Sequence, residues 1–249
     1  MKPLIVGNWK MNPTNQREAK MLFELIKKGV KNIKNVETVI CPASLYLPLF
    51  KGLPLGGQNC SWEEKGTYTG EVSALMLKDI GAEYVIIGHS ERRKHFQETD
   101  EDVNRKVKKA IHAGLRVILC IGESFEEREK NETKDILKSQ LAAALNGVTE
   151  VKNLNVAYEP IWAISTGDPY TTKELPTVEK IEKIFLYIQG LLVSMYGQEG
   201  TKDIRIIYGG SANSQNAGGY LKEAKMQGLL VGGASLNADE FIKIVKAAI

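Results

Sequence analysis

Long hydrophobic runs are the first thing this 249-residue chain lacks. No apolar stretch approaches the ~20 residues of a membrane-crossing helix. The start, Met1-Lys2-Pro3-Leu4-Ile5-Val6-Gly7-Asn8, offers only three apolar residues before a glycine, too few for a secretory leader. The cytoplasm is therefore the expected location. Cysteine is scarce too. Cys41, Cys60 and Cys120 are an odd, scattered set, which excludes a disulfide framework, and no pair has metal-ligand spacing. Cys41 and Cys120 end apolar runs, so buried thiols are expected. Charge of one sign is missing as well. The formal net charge is +3 and no block of five like charges occurs, which argues against nucleic acid or a membrane surface as partner. Dense segments such as Glu91-Arg92-Arg93-Lys94 and Phe125-Glu126-Glu127-Arg128-Glu129-Lys130 mix signs and read as solvated helix faces. No linker or low-complexity stretch divides the chain, and no glycine-rich dinucleotide fingerprint follows the first apolar run.

What is there is a regular alternation. Short β-branched runs at 4–7, 38–41, 55–58, 84–87, 117–121, 156–159, 204–208 and 229–231 are nearly continuous in apolar character. That pattern suits parallel strands buried on both faces. Helical patterns lie between them. Val103, Val107 and Ile111 recur every four residues behind a Thr99-x-x-Asp102 capping signal. Ile181, Ile184, Phe185 and Ile188 form another stripe, preceded by Pro176 and expected to close at Gly190 or Gly197. Asn237-Ala238-Asp239-Glu240 opens the last helix. Eight strands alternating with about eight helices predict one closed (β/α)₈ barrel domain over residues 1–249, with a doubly wound open sheet as the alternative.

In such a barrel, chemistry sits at the C-terminal strand ends. Glu159 ends the run Asn155-Val156-Ala157-Tyr158 and is followed at once by Pro160. A carboxylate at the end of a buried strand is costly unless it faces a polar pocket. The residues after it, Ile161-Trp162-Ala163-Ile164-Ser165-Thr166-Gly167, read as an oily flap with a small-residue end. Two readings stand: a base that works with water excluded, or a glutamate capping the next turn. Asn8 and Lys10 leave the first strand two residues apart and can point the same way. His89 leaves the fourth strand into a helix start, which disfavours imidazolium. Cys120-Ile121-Gly122-Glu123 ends the fifth strand and suggests support. Tyr208-Gly209-Gly210-Ser211 and Val231-Gly232-Gly233-Ala234-Ser235 end the last two strands, where bare backbone N–H groups can cradle a phosphate. One carboxylate, one His, one Lys, one Asn and a phosphate nest suit proton abstraction next to a carbonyl in a small phosphorylated sugar.

These segments resemble the triosephosphate isomerase family. The likeness rests on Gly7-Asn8-Trp9-Lys10-Met11-Asn12, Tyr68-Thr69-Gly70-Glu71, Gly88-His89-Ser90-Glu91-Arg92-Arg93, Cys120-Ile121-Gly122-Glu123, Ala157-Tyr158-Glu159-Pro160-Ile161-Trp162-Ala163-Ile164, Tyr208-Gly209-Gly210-Ser211 and Val231-Gly232-Gly233-Ala234-Ser235-Leu236, in family order. The resemblance implies interconversion of dihydroxyacetone phosphate and glyceraldehyde 3-phosphate with no cofactor and no metal. It makes Glu159 the base, His89 the electrophile, Lys10 the electrostatic partner and Asn8 a substrate-orienting group. It gives Ser165, Ser211, Gly232 and Gly233 to substrate binding. Glu91 corresponds to a buried acid near the lysine, Cys120 to a supporting residue, and Tyr208 with Ser211 to a latch for the closed lid. The Thr69 loop corresponds to an arm that enters a neighbouring subunit, so a homodimer is expected.

The chain departs from the family pattern at Ser165, where Gly is usual, and at Asp168, where Lys is usual. The segment 168–176 also looks longer than usual. Changing Ser165 to Gly is expected to alter turnover far less than changing Glu159 to Gln. Two rival readings remain: a phosphate-binding barrel for another substrate, which calls for a second acid or a Cys in place of the Lys–His pair, and a non-catalytic scaffold, which predicts loss of Lys10, His89 or Glu159.

Overall fold

The apolar runs become strands in the computed structural model, which describes residues 1–164 and 175–249. Among the described residues the strands are β1 (Leu4–Asn8), β2 (Glu37–Cys41), β3 (Gly56–Gly57), β4 (Tyr84–Ile87), β5 (Arg116–Ile121), β6 (Leu154–Tyr158), β7 (Arg205–Tyr208) and β8 (Gly228–Val231). All pair in parallel, in the order β2-β1-β8-β7-β6-β5-β4-β3. The two ends of that order meet in a single parallel bridge between Ile40 and Leu55, and the Ile40 N–H donates to the Pro54 carbonyl at 3.1 Å. The sheet is thus a nearly closed barrel, and the open doubly wound alternative falls. β3 is shorter than the expected 55–58. Pro54 has no N–H to give the ladder, and Gln58 turns its side chain onto the carbonyls of Lys10 and Cys41, each at 2.8 Å.

Closure explains why the strands do not alternate in polarity. One set of side chains, including Leu4, Val6, Val39, Cys41, Ile86, Ile118, Cys120 and Ile207, fills the barrel interior. Their neighbours, including Ile5, Ile40, Val85, Val117, Leu119, Val156 and Ile206, pack outward against the helices. Both faces of each strand therefore bury apolar surface, about 1.5–3 kcal/mol per fully buried large side chain.

The helical layer is α1 (Gln16–Val30), α2 (Ala74–Asp79), α3 (Ser90–Phe96), α4 (Asp100–His112), α5 (Phe125–Glu129), α6 (Thr133–Ala144), α7 (Val178–Thr201) and α8 (Ala238–Ala247). The Thr99–Asp102 capping box forms as expected, and α4 buries Val103 and Val107. α7 does not stop at Gly190. It breaks at Gly197, the second of the two expected ends, where φ is +72°, and a short further helical stretch reaches Thr201. A helical glycine costs about 0.5–1 kcal/mol, less than the buried face of Ile181, Phe185, Ile188 and Leu192 supplies. No helix among the described residues is long and apolar enough to cross a membrane.

The N-terminal mouth of the barrel is sealed by a polar network that the sequence reading did not single out. Glu37 accepts hydrogen bonds from Tyr84 (2.6 Å), Arg116 (2.7 Å) and Arg205 (2.6 Å). Arg205 also donates to Asn155 (2.9 Å) and to the Tyr84 hydroxyl (3.0 Å). Five strands are tied together by this one cluster. Cys41 and Cys120 are buried, as expected, and so is Cys60. Burial pushes the Cys60 thiol up to about 12 and drives Cys41 and Cys120 upward as well.

Candidate active site

Glu159 lies one residue beyond β6, where its N–H donates to the Ile121 carbonyl at 2.8 Å. It is 1% exposed. The carboxylate does not cap its own turn. Its Oε2 accepts the Ser90 N–H at 3.0 Å, from the start of α3. Its Oε1 lies 3.3 Å from His89 Nε2 but makes no aligned hydrogen bond among the described residues. Two glycines make room for it. A Cβ on Gly122 would stand 1.8 Å from the Glu159 carbonyl oxygen, and one on Gly209 would stand 2.8 Å from its Cγ. The Cys120 thiol packs beside this carboxylate from inside the barrel; burial first, and then the Glu159 charge, keep it protonated.

His89 is the N-cap of α3, and its Nδ1 accepts the Glu91 N–H at 3.2 Å. A backbone N–H only donates, so Nδ1 carries a lone pair and the ring proton sits on Nε2, on the side of Glu159. Lys10 has a left-handed backbone, φ +54°. Asn8 Oδ1 receives its N–H at 3.1 Å, and Gln58 holds its carbonyl. Its ammonium pairs with Glu91. Glu91 was expected to be buried and is not: its side chain is 33% exposed, because the second residue of α3 stands at the rim of an open groove beside Met11, His95 and Phe96.

Asn8, Lys10 and His89 face Gly210, Ser211, Gly232 and Gly233 across a cavity of about 370 Å³. The structure brings these expected site residues together, with Glu159 against His89. The anion nest is smaller than the glycine pairs suggest. The Gly209 N–H is spent on the Tyr158 carbonyl at 2.7 Å, and the Ser211 N–H on Ala163 at 3.1 Å. Gly210, Gly232 and Gly233 remain along the cavity wall, and a Cβ on Gly232 would lie 3.7 Å from the Lys10 ammonium.

Past Glu159, residues Ile161–Ala163 form a single 3-10 turn. Glu123, 1% exposed, anchors that turn. Its Oε1 accepts from the Trp162 indole (2.9 Å) and the Tyr158 hydroxyl (3.0 Å), and its carbonyl accepts the Ile161 N–H (3.1 Å). Burial raises the pKa of this carboxyl, against the lowering effect of those donors. Tyr208 is buried and packs against Tyr220 with the rings tilted by 39° and their centroids 4.3 Å apart, and its hydroxyl has no partner among the described residues. Thr69 is exposed and does not line the cavity. Ser165 and the atypical segment from Asp168 to Glu174 lie outside the described residues. Gln58 and the roles of Glu123 and Trp162 escaped the sequence reading; the one signal for Gln58 was a polar side chain ending a strand run.

Among the described residues no three His, Cys, Asp or Glu side chains gather as a metal site. The family model described as triosephosphate isomerase matches residues 3–248. The triosephosphate isomerase of Alkaliphilus oremlandii is 49% identical, with 98% of each chain covered. That of Geotalea uraniireducens is 43% identical, again with 98% of each chain covered. The crystal structure of triosephosphate isomerase from Bartonella henselae superposes with a TM-score of 0.87 at 38% identity, covering 99% of both chains. On these matches, which span nearly the whole chain, this chain belongs to the triosephosphate isomerase family.

Proposed function

We propose that this protein interconverts dihydroxyacetone phosphate and D-glyceraldehyde 3-phosphate, as a single-domain enzyme of cytoplasmic glycolysis and gluconeogenesis. The observation that carries the reading is the convergence of His89 Nε2 and a Glu159 oxygen at 3.3 Å, beside a glycine-walled cavity that Lys10 borders. Glu159 takes the proton from the carbon next to the carbonyl and returns it to the neighbouring carbon. The pairing of a Glu base with a neutral His is long established for this family as a whole. His89, with its proton on Nε2, donates toward the carbonyl oxygen and moves protons between the enediol oxygens. Lys10 stabilises negative charge on the enediolate and phosphate, and Asn8 orients the substrate. Gly232, Gly233, Ser211 and Ser165 receive the phosphate. Trp162 and Ile164 begin an apolar cover that keeps water from the intermediate. The test is a coupled assay for conversion of glyceraldehyde 3-phosphate, with Glu159→Gln alongside. Turnover that collapses in the variant is expected; a folded wild-type protein with no turnover would sink the reading.

The working unit is a homodimer. Residues 64–70 form an exposed arm that carries Thr69, and a groove of about 540 Å³ runs from Lys10 and Glu91 to Phe96. Met11 is 89% exposed and Phe96 67%, apolar surface that a partner's arm would cover. The exposure of Glu91 has the same origin. Analytical ultracentrifugation should return a particle of twice the 27.6 kDa chain mass. A fully active monomer would contradict it.

A further inference from the structure

The loop after β7 carries Gly210, Ser211, Ala212 and Asn213 along the cavity wall. It is laced internally. Asn213 Oδ1 accepts the N–H groups of Gln215 (2.9 Å) and Asn216 (3.1 Å), and Asn216 Oδ1 accepts the N–H of Asn213 (2.8 Å). Asn216 also donates to the Ser211 carbonyl at 3.1 Å. These bonds fix the shape of the loop but not its place in the molecule.

The Ser211 N–H ties it to the Ala163 carbonyl on the β6 side, and a second anchor comes from the other side of the cavity. Glu240 sits in the first turn of α8, whose N-cap Asn237 accepts the Glu240 N–H at 3.0 Å. A glutamate at this third helical position commonly reaches back to its own N-cap backbone. This one reaches across instead. Its Oε1 accepts the Ser214 N–H at 2.7 Å and its Oε2 the Ser214 hydroxyl at 3.0 Å. The Ser214 N–H is also the leading cause that holds the Glu240 carboxyl below its ordinary pKa. The helix bearing Glu240 follows directly on the 3-10 turn Gly233–Leu236, which belongs to the loop after β8. One carboxylate therefore joins the two loops that face each other across the phosphate end of the cavity.

We infer that Glu240 is a positioning residue for the phosphate cradle. It touches no substrate; it sets the distance between the Ser211 side and the Gly232–Gly233 side. The inference rests on the phosphate-binding reading above, and the expected signature lies in binding, not in chemistry. A loosened cradle that weakens substrate and transition state alike raises KM more than it lowers kcat.

The experiment compares wild type with Glu240→Ala, Glu240→Gln and Ser214→Ala. KM, kcat and the inhibition constant of inorganic phosphate are measured, together with direct titration of phosphate binding. Glu240→Ala removes both bonds; KM and the phosphate constants should rise roughly fivefold to tenfold while kcat changes less than about twofold. Glu240→Gln keeps an acceptor for the Ser214 N–H and a donor for its hydroxyl, so it should restore values near wild type. Ser214→Ala removes only the hydroxyl bond and should fall between; it decides the matter if Glu240→Ala does not fold. Unchanged KM and phosphate binding across the folded variants would overturn the inference. So would a Gln variant as impaired as the Ala variant, because charge and not the clamp would then be at work. A wild type that binds phosphate but does not turn over triose phosphates would fail the proposed reaction, while the direct titration still judges the clamp.

Discussion

The two mouths of this barrel are built from the same kinds of residue and treat them in opposite ways. At the N-terminal mouth, the Glu37 carboxylate receives Tyr84, Arg116 and Arg205, and the guanidinium of Arg205 is shared among Glu37, Asn155 and Tyr84. At the C-terminal mouth, Glu159 has one oxygen bound by a backbone N–H and the other, among the described residues, without a hydrogen bond beside His89. A buried polar group without a partner costs stability. At Glu159 that cost falls beside the cavity that His89 lines. The satisfied mouth ties five strands and exposes little to react; the unsatisfied one waits for a substrate oxygen and a proton.

Changing the base strains this contrast most. Glu159→Gln keeps an acceptor for Ser90 and should lower kcat by about 10²–10⁴ without lowering thermal stability. A variant that lost stability instead would mean that both mouths serve the fold. Arg205→Met should do the reverse. It removes the donor on Glu37 Oε2 while Tyr84 and Arg116 still hold Oε1, so stability should fall by about 1–3 kcal/mol in denaturant titration, while the folded fraction keeps its kcat. A large kcat loss in the folded variant would show that the two mouths are coupled.

The smallest expected effect is on acid tolerance. Burial alone would raise the Glu37 pKa, but hydrogen bonds from Tyr84 and Arg205 and the charges of Arg205 and Arg116 hold it below its ordinary 4.5. The folded-state value thus lies below the unfolded one. Glu37 contributes its full stability above about 4.5 and loses it as the pH falls through the folded-state value. Glu37→Gln should flatten that acid limb of the stability curve. An unchanged limb would place the acid-sensitive group elsewhere.

Much of this was legible from local chemistry. Continuous apolar runs gave the strands, Thr99 and Asp102 gave a helix start, and Glu159 stood out because a carboxylate had no business ending a buried strand. His89 stood out at a helix start, which disfavours imidazolium, but which ring nitrogen faces the Glu91 N–H came only with the structure. The rest depends on partners far away in the chain. Arg205 meets Glu37 across 168 residues, and nothing near either one marks the pairing. Gly209 and Ser211 look free in sequence, yet the carbonyls of Tyr158 and Ala163 take their N–H groups. Glu91 reads as an interior acid until α3 is seen to open onto a groove. Gly190 looks like a stop, but α7 draws its stability from a buried face that continues beyond it.

The three buried thiols give the protein a built-in clock. Cys41 and Cys120 line the barrel interior, whereas Cys60 belongs to the apolar layer outside it. Only thiolates react with alkylating reagents, and burial suppresses the thiolate at all three sites. Each cysteine therefore becomes labelled only when its surroundings open. The order in which they react in the native protein reports whether the outer layer loosens before the barrel parts, with no probe added to the chain.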